Sequence, residues 1–237
     1  MAGLQDIINQ ASSIEFNRRK VVGIQFTRNE IPRTSLTPTR MPWRFTIEMP
    51  PVLSWWDNRE LIEYLDNLDS YSPQQVNFSN SCINWIFRYQ GQCTAGMLSG
   101  LTVSSIAGTN LTLSGLTAAG ITSGTVLFRP NDLIQIGANP YPFTSVNTVT
   151  ATGSDTITFQ TSRPMDFLST GAWSGAGITV GPSCTFNVFC PSMPTYKLVP
   201  GNYYHYLNGG GSSAVINNAR IEFSDVFQLY EWVGGAA

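Results

Sequence analysis

The chain has 237 residues, of which only 12% are charged, and a formal net charge of −2 at pH 7. This length buries a real core, as one β-rich domain or two smaller ones. The near-neutral balance argues against a general or sequence-specific nucleic-acid binder. Charged residues are about half their usual share of roughly 25%, so the surface is covered by Ser, Thr, Asn, Gln and Gly or is partly buried against other subunits.

The charges are unevenly spread. Arg18, Arg19, Lys20, Arg28, Arg33, Arg40 and Arg44 crowd the first 44 residues, against Asp6, Glu15 and Glu30. Lysine occurs only at 20 and 197. Arginine forks suit planar contacts to carboxylates across subunit boundaries; a patch for phosphate or an acidic partner is the other reading. Arg28, Arg33, Arg40 and Arg44 are the candidate oligomer-interface residues.

In residues 1–17, Leu4, Ile7, Ile8, Ala11 and Ile14 follow helical spacing. They form an N-terminal arm that docks on a neighbour or on its own chain. VVGIQF at 21–26 is a strand by its β-branched content. TRNEIPRTSLTPTRMP at 27–42 reads as a long polar loop, since Pro32, Pro38 and Pro42 forbid regular helix. WRFTIEM at 43–49 alternates, with Trp43, Phe45, Ile47 and Met49 on one face and Arg44, Thr46 and Glu48 on the other.

A helix follows. Asp57 to Glu60 has capping-box spacing, and Leu61, Ile62, Leu65 and Leu68 form an apolar stripe. Its carboxylates, Glu60, Glu63, Asp66 and Asp69, fit a solvated outer face. Trp55 and Trp56 precede it and can staple its start to the core. CINWIFRYQ at 82–90 reads as a strand.

From about Gly91 the composition shifts to Gly, Ser, Thr, Leu and Ile. TVSSIAGTNLTLSGL is strand, turn and strand, with Gly108 to Asn110 as the turn. Further strands are expected at 133–136, 142–149, within 155–164 and within 177–189. Short strands with regular turn signals suggest a small barrel or sandwich. Asn208 to Ser213 is a Gly-rich loop. ARIEFSDVFQLYEWV reads as one last strand, with a parity break near Asp225 that marks a bulge.

The catalytic inventory is thin, and no enzyme activity is expected. Glu222 and Asp225 lie near aromatics, but on one strand they face opposite ways, which does not suit glycosidase chemistry. His205, the one histidine, sits among Tyr203, Tyr204 and Tyr206 and suits a structural role. No nucleotide-binding glycine motif occurs. Cys82, Cys93, Cys184 and Cys190 lack the close pairing of a zinc site, so neither metal nor cofactor is expected. MAGLQDIINQASSIEF lacks the apolar stretch of a secretory signal, no apolar run spans a bilayer, and the glycosylation patterns at Asn77 and Asn110 are discounted. No membrane partner is expected.

One stretch carries a family resemblance. Arg129 to Gly137 (RPNDLIQIG), then Tyr141 to Val146, Thr156 to Phe159 and Ser162 to Pro164, resembles the small β-barrel insertion in tail and baseplate proteins of tailed bacteriophages. Asn131 stands where that family's turn has Gly, and Asn tolerates left-handed geometry. The Arg-rich loop, the strand from Trp43 to Met49, the Pro-Pro turn and the helix near Trp56 resemble the tube-type domain of distal tail or baseplate-hub proteins.

The resemblance implies an α+β, mostly β fold: a tube-type split β-barrel platform with one flanking helix plus a small inserted β-barrel. The expected layout is an arm at 1–17, a platform at 18–95 and 183–237, and the inserted barrel at 96–182. It implies a structural virion protein, assembled in the bacterial host cytoplasm. That protein forms a homo-oligomeric ring, often a hexamer, joining the tail tube to the baseplate or adsorption apparatus. The alternative is a carbohydrate-binding adsorption module, with the middle barrel as the sugar platform.

Overall fold

The computed structural model describes residues 3–17, 22–26, 32–36, 42–51, 53–68, 72–165, 173–206 and 213–232; within these, 22–26, 32–36, 201–206 and 213–218 are described by backbone alone. The fold is mostly β with few helices, and every strand pair in it is antiparallel.

Helix α1 (Leu4–Gln10) opens the chain and leads to β1 (Ser13–Asn17). Asp6 closes the first turn by accepting the Gly3 N–H at 3.0 Å. Leu4, Ile7 and Ile8 are fully buried in this chain's own core, each side chain contributing about 1.5–3 kcal/mol. Gln5 fixes the helix further: its amide donates to the Asn77 carbonyl at 2.9 Å and accepts the Asn77 N–H at 2.8 Å. Of the two expectations for this segment, the helix that packs on its own chain is the one present, because its apolar stripe is buried in the first core.

Strands β2 (Val22–Phe26) and β3 (Pro32–Leu36) form a separate two-stranded ribbon. The stretch expected as a continuous loop thus holds a strand. Pro32 sits at its first position, where a missing N–H is tolerated. Strand β4 (Arg44–Glu48) alternates as its sequence predicts, with Phe45 and Ile47 fully buried.

The short β5 (Leu53–Ser54) runs into helix α2 (Trp55–Asn67). The cap is Ser54, whose hydroxyl accepts the Asp57 N–H at 3.4 Å, one turn before the expected Asp57. Beta-strand β6 (Gln74–Val76) follows. Residues 82–90, expected as a strand, instead contain a 3₁₀ turn over Asn84–Phe87. Ile83 and Phe87, four apart, are buried while Trp85 is exposed, a spacing that a coil satisfies and an alternating strand does not.

The middle of the chain contains helix α3 (Ala95–Ser99) and strands β7 (Thr102–Ala107), β8 (Asn110–Ser114), β9 (Val126–Phe128), β10 (Leu133–Ile136), β11 (Phe143–Thr144), β12 (Val149–Thr150), β13 (Thr156–Gln160) and β14 (Ile178–Val180). They form three small sheets, ordered β13-β8-β7, β12-β9 and β11-β10-β14. No closed barrel is formed among the described residues. Asn131 has φ 76°, the left-handed turn geometry expected of it.

The chain then returns through β15 (Phe186–Phe189), the long β16 (Tyr196–Tyr206) and β17 (Ser213–Phe223), and β18 (Phe227–Glu231). Residues 219–233 are not one bulged strand. Strand β17 belongs to the sheet β16-β17-β5, and β18 to a five-stranded sheet ordered β1-β4-β18-β15-β6. The parity break near Asp225 is the crossing from one sheet to the other.

Buried apolar residues fall into two clusters. The first joins α1, β4, α2, β15 and β18; the second lies between Cys93 and Trp173. Two linkers cross side by side. Gly91 leaves no room for a Cβ, which would collide with the Tyr89 hydroxyl and the Leu127 carbonyl, and Gly181 has φ +84°. Strand β10 belongs to both cores, since Leu133 packs in the first and Ile134 and Ile136 in the second.

Polar groups lock this seam. The Arg163 guanidinium forms a bidentate pair with Glu231, both bonds at 2.7 Å, and the two side chains are 6% and 0% exposed. It also donates to the Pro142 carbonyl and lies 3.6 Å from the centre of the Tyr141 ring. Glu231 accepts the Trp43 N–H at 3.0 Å. Asp132 accepts the N–H groups of Gln90 and Arg129 at 2.9 and 2.8 Å; burial nonetheless pushes its carboxyl above the ordinary range.

Replacing Arg163 by Met leaves the buried Glu231 carboxyl without its ion-pair partner. Urea unfolding should show a loss of about 3–5 kcal/mol, and Arg163→Met/Glu231→Gln should lose less than the single change. A single-variant loss below about 1 kcal/mol would show that the pair does not hold the seam.

Candidate interaction surfaces

Of the four candidate arginines, Arg28 and Arg40 lie outside the described residues, and Arg33 is described only as a backbone position in β3. Arg44 is exposed on β4. Its register across the five-stranded sheet places it beside Asn17 on β1 and Tyr230 on β18, which in turn faces Phe189 on β15. Arg44 donates to the Gln228 side chain at 2.6 Å and sits 5.2 Å from the Tyr230 ring centre. Such a stacked cation contributes about 0.5–1 kcal/mol at an exposed site.

Phe189 packs beside Tyr230 and edge-on to Trp232, with ring centres 6.0 and 5.6 Å apart. One end of the sheet's outer face is therefore an aromatic patch with an arginine at its border. The cause is strand parity: Phe45, Ile47, Phe227 and Leu229 turn inward, so Arg44, Gln228 and Tyr230 must turn outward. Phe189 on β15 and Tyr230 on β18 were not singled out by sequence reading. Alternation in FNVF and FQLYEW was the available signal.

The exposed side of α2 forms a second surface. Asp57, Glu60, Glu63 and Asp66 are exposed there, with Trp56 at 65% exposure. A groove of about 480 Å³ runs beside it, lined by Trp55, Ile62, Glu60, Glu63 and Asp66 among others. Asp66 accepts the Tyr196 hydroxyl at 2.9 Å. Arg59 lies 5.7 Å from the Trp56 ring centre.

Two ribbons form a third feature. Among the described residues β2 pairs with β3 alone. The β16 and β17 strands are 11 residues each and pair along their full length, a reach of about 36 Å. In the described sheets their other partner is β5, at Ser54 and Leu53 alone, opposite Arg220 and Ile221. The His205 side chain is outside the description; its backbone pairs with Ala214 in this ribbon. The Gly-rich segment 207–212 lies outside the described residues.

Glu222 and Asp225 prove not to share a strand, and both line one cleft with Glu48 and Arg220. The cleft does not supply a general acid at Glu222. Lys197 bonds it at 2.9 Å and Arg220 pairs with it as well, and the Lys197 bond, then Arg220, hold its carboxyl below the ordinary value. A catalytic acid needs the opposite shift.

Every described aromatic side chain between 96 and 182 is buried. Among the described residues no cluster of His, Cys, Asp and Glu is placed to hold a metal ion. No described helix is long and apolar enough to cross a membrane. All four cysteines are free; Cys82 is exposed and the other three are buried, with burial pushing the Cys184 thiol up to about 12. No protein-family model matches the chain, and no curated protein matches it.

Two measurements check this electrostatic picture. Glu222 has a lowered folded-state pKa, so its ion pairs stabilise above the ordinary glutamate range and are lost as pH falls through the lowered value. Carboxylate-resolved NMR should place its midpoint below that of a free glutamate, and Lys197→Met should move it upward. In a thiol-reagent assay at pH 8, Cys82 alone should react in the folded chain, and all four cysteines after denaturation; a second native reactive thiol would contradict the burial of the other three.

Proposed function

We propose that the protein is a structural subunit of a bacteriophage tail. In this reading, copies form a homo-oligomeric ring, with six subunits expected, at the tail tip or baseplate. The ring connects the tail tube to the baseplate or adsorption apparatus. The tube-type split β-barrel would then be completed between subunits, with the flanking helix α2 outside it and the middle sheets as the inserted module. Its partners are other copies and the neighbouring tail-tube and baseplate proteins, and its place is the virion tail after assembly in the host cytoplasm.

The observation that carries this reading is the pair of ribbons β2–β3 and β16–β17. The β2–β3 ribbon pairs with no other described strand and β17 meets β5 at two residues only; a two-stranded ribbon by itself is marginal in water, and the outer edges of both present backbone groups that another strand can satisfy. Pro200 on β16 limits pairing along one part of that edge without preventing it elsewhere. The low charge and arginine-dominated cations agree with surfaces used for contact. A non-enzymatic role is supported by the tethered state of Glu222. The carbohydrate-binding alternative is weaker, because the middle segment expected to carry it keeps its described rings inside.

Light scattering followed by negative-stain imaging tests the proposal. Rings with a central hole are expected, and Arg33→Glu should weaken assembly at least about tenfold while the subunit keeps its circular-dichroism spectrum and melting temperature. A chain that stays monomeric at every concentration, alone and with tail proteins, rejects the ring. Unfolding of Arg33→Glu would instead assign that residue to the subunit's own core.

A further inference from the structure

Two charge populations of opposite sign stand apart in this chain. On α2, Glu60 and Glu63 are exposed, border the groove floored by Trp55 and Ile62, and make no ion pair among the described residues. Glu60, Glu63 and Asp66 recur at every third position, so they follow one side of the helix. The nearby cation, Arg59, is drawn over Trp56. Trp56 itself is 65% exposed.

The opposite population is the segment from Arg18 to Arg44. Its cations are six arginines and Lys20, and its acidic residue is Glu30. The described member, Arg44, is exposed and bonds to an amide and an aromatic ring, with no carboxylate among the described residues within ion-pair distance. Strand β4, which carries Arg44, lies in the five-stranded sheet, whereas α2 follows the separate strand β5. The two surfaces are thus carried by different elements, as a heterologous contact requires.

We infer that the groove along α2 receives the arginine-rich segment 18–44 of a second copy of this chain. Guanidinium forks from that copy bond to Glu60 and Glu63. The inference rests on the homo-oligomeric reading above. It adds the acidic partner that the arginines meet, a contact separate from strand pairing at the ribbons. The contact is head-to-tail: each subunit offers its helix to one neighbour and its arginines to the other. A surface contact of this kind weakens with salt, since the screening length is about 10 Å at 0.1 M.

Charge reversal tests it with the full chain. Analytical ultracentrifugation would compare wild type, Glu60→Lys/Glu63→Lys, Arg40→Glu/Arg44→Glu, and the fourfold variant carrying all these changes. Each double variant should associate at least about tenfold more weakly than wild type, and the fourfold variant should recover most of the loss. An equimolar mixture of the two double variants should also assemble, because opposite charges then meet between unlike copies. Circular dichroism and melting temperature control for folding.

Undiminished association of Glu60→Lys/Glu63→Lys while wild type forms rings would overturn this contact and leave the ring proposal standing. So would two weakened double variants with neither recovery in the fourfold chain nor assembly of the mixture. Recovery in the fourfold chain without assembly of the mixture would place the contact within one chain and overturn the second-copy assignment. A wild-type chain that never associates, alone or with tail proteins, would overturn both readings.

Discussion

The buried pair of Arg163 and Glu231 is the constraint on which the arrangement depends. A carboxylate and a guanidinium removed from water lose several kcal/mol of hydration each, and only close, multiple contacts offset that loss. Here the fork is bidentate, the second guanidinium contact is the Pro142 carbonyl, and the Tyr141 ring lies against the cation. Glu231 also holds the Trp43 N–H. Since Arg163 leaves the middle sheets and Glu231 ends β18, their satisfaction requires one relative placement of the two cores. Gln135 repeats the pattern nearby, accepting the Thr185 N–H at 2.6 Å.

That seam explains why β10 is buried at every position. A strand with one wet face would alternate, whereas one wedged between two cores cannot. Its odd member Leu133 serves the first core and its even members Ile134 and Ile136 serve the second. The polar residue between them, Gln135, is tolerated because its amide is spent on Thr185 and the Gly137 carbonyl. The linkers beside it are glycine-dependent for a steric reason at Gly91 and a conformational one at Gly181.

The few charges of this chain are consequently informative. Some close the seam, some form the Lys197–Glu222–Arg220 network at the end of β17, and others lie along α2. Among the described residues most apolar side chains are consumed within the two cores, so what remains for contact is chiefly backbone edge, exposed rings and charge. Ribbons, the Arg44 patch and the α2 groove supply one of each. This is why the functional reading is one of assembly: these surfaces suit extended partners more than a small substrate, and the cleft holding Glu222 and Asp225 keeps at least one of its carboxylates tied to cations.

Much of the local structure is legible in the sequence. Period-two alternation places β4 and its inward residues, the leucine stripe places α2, and Asn131 marks its left-handed turn. The same alternation rule fails at 82–90, where Ile83 and Phe87 bury themselves at helical spacing, and at 219–233, where a continuous strand-like pattern hides a change of sheet. Of the candidate interface, Arg44 was legible as an outward residue of β4. Its aromatic neighbours come from strands more than 140 residues away in sequence, and no local pattern reveals that adjacency. What the sequence by itself determined is the β-rich class, the individual strands and helix, and the scarcity of charge, because periodicity and composition act within a few residues. The joining of two cores by Arg163 and Glu231, the absorption of α1 into the first core and the passage of the chain from β17 in one sheet to β18 in another were decided by the tertiary structure alone, because each depends on which distant surfaces meet as water is excluded.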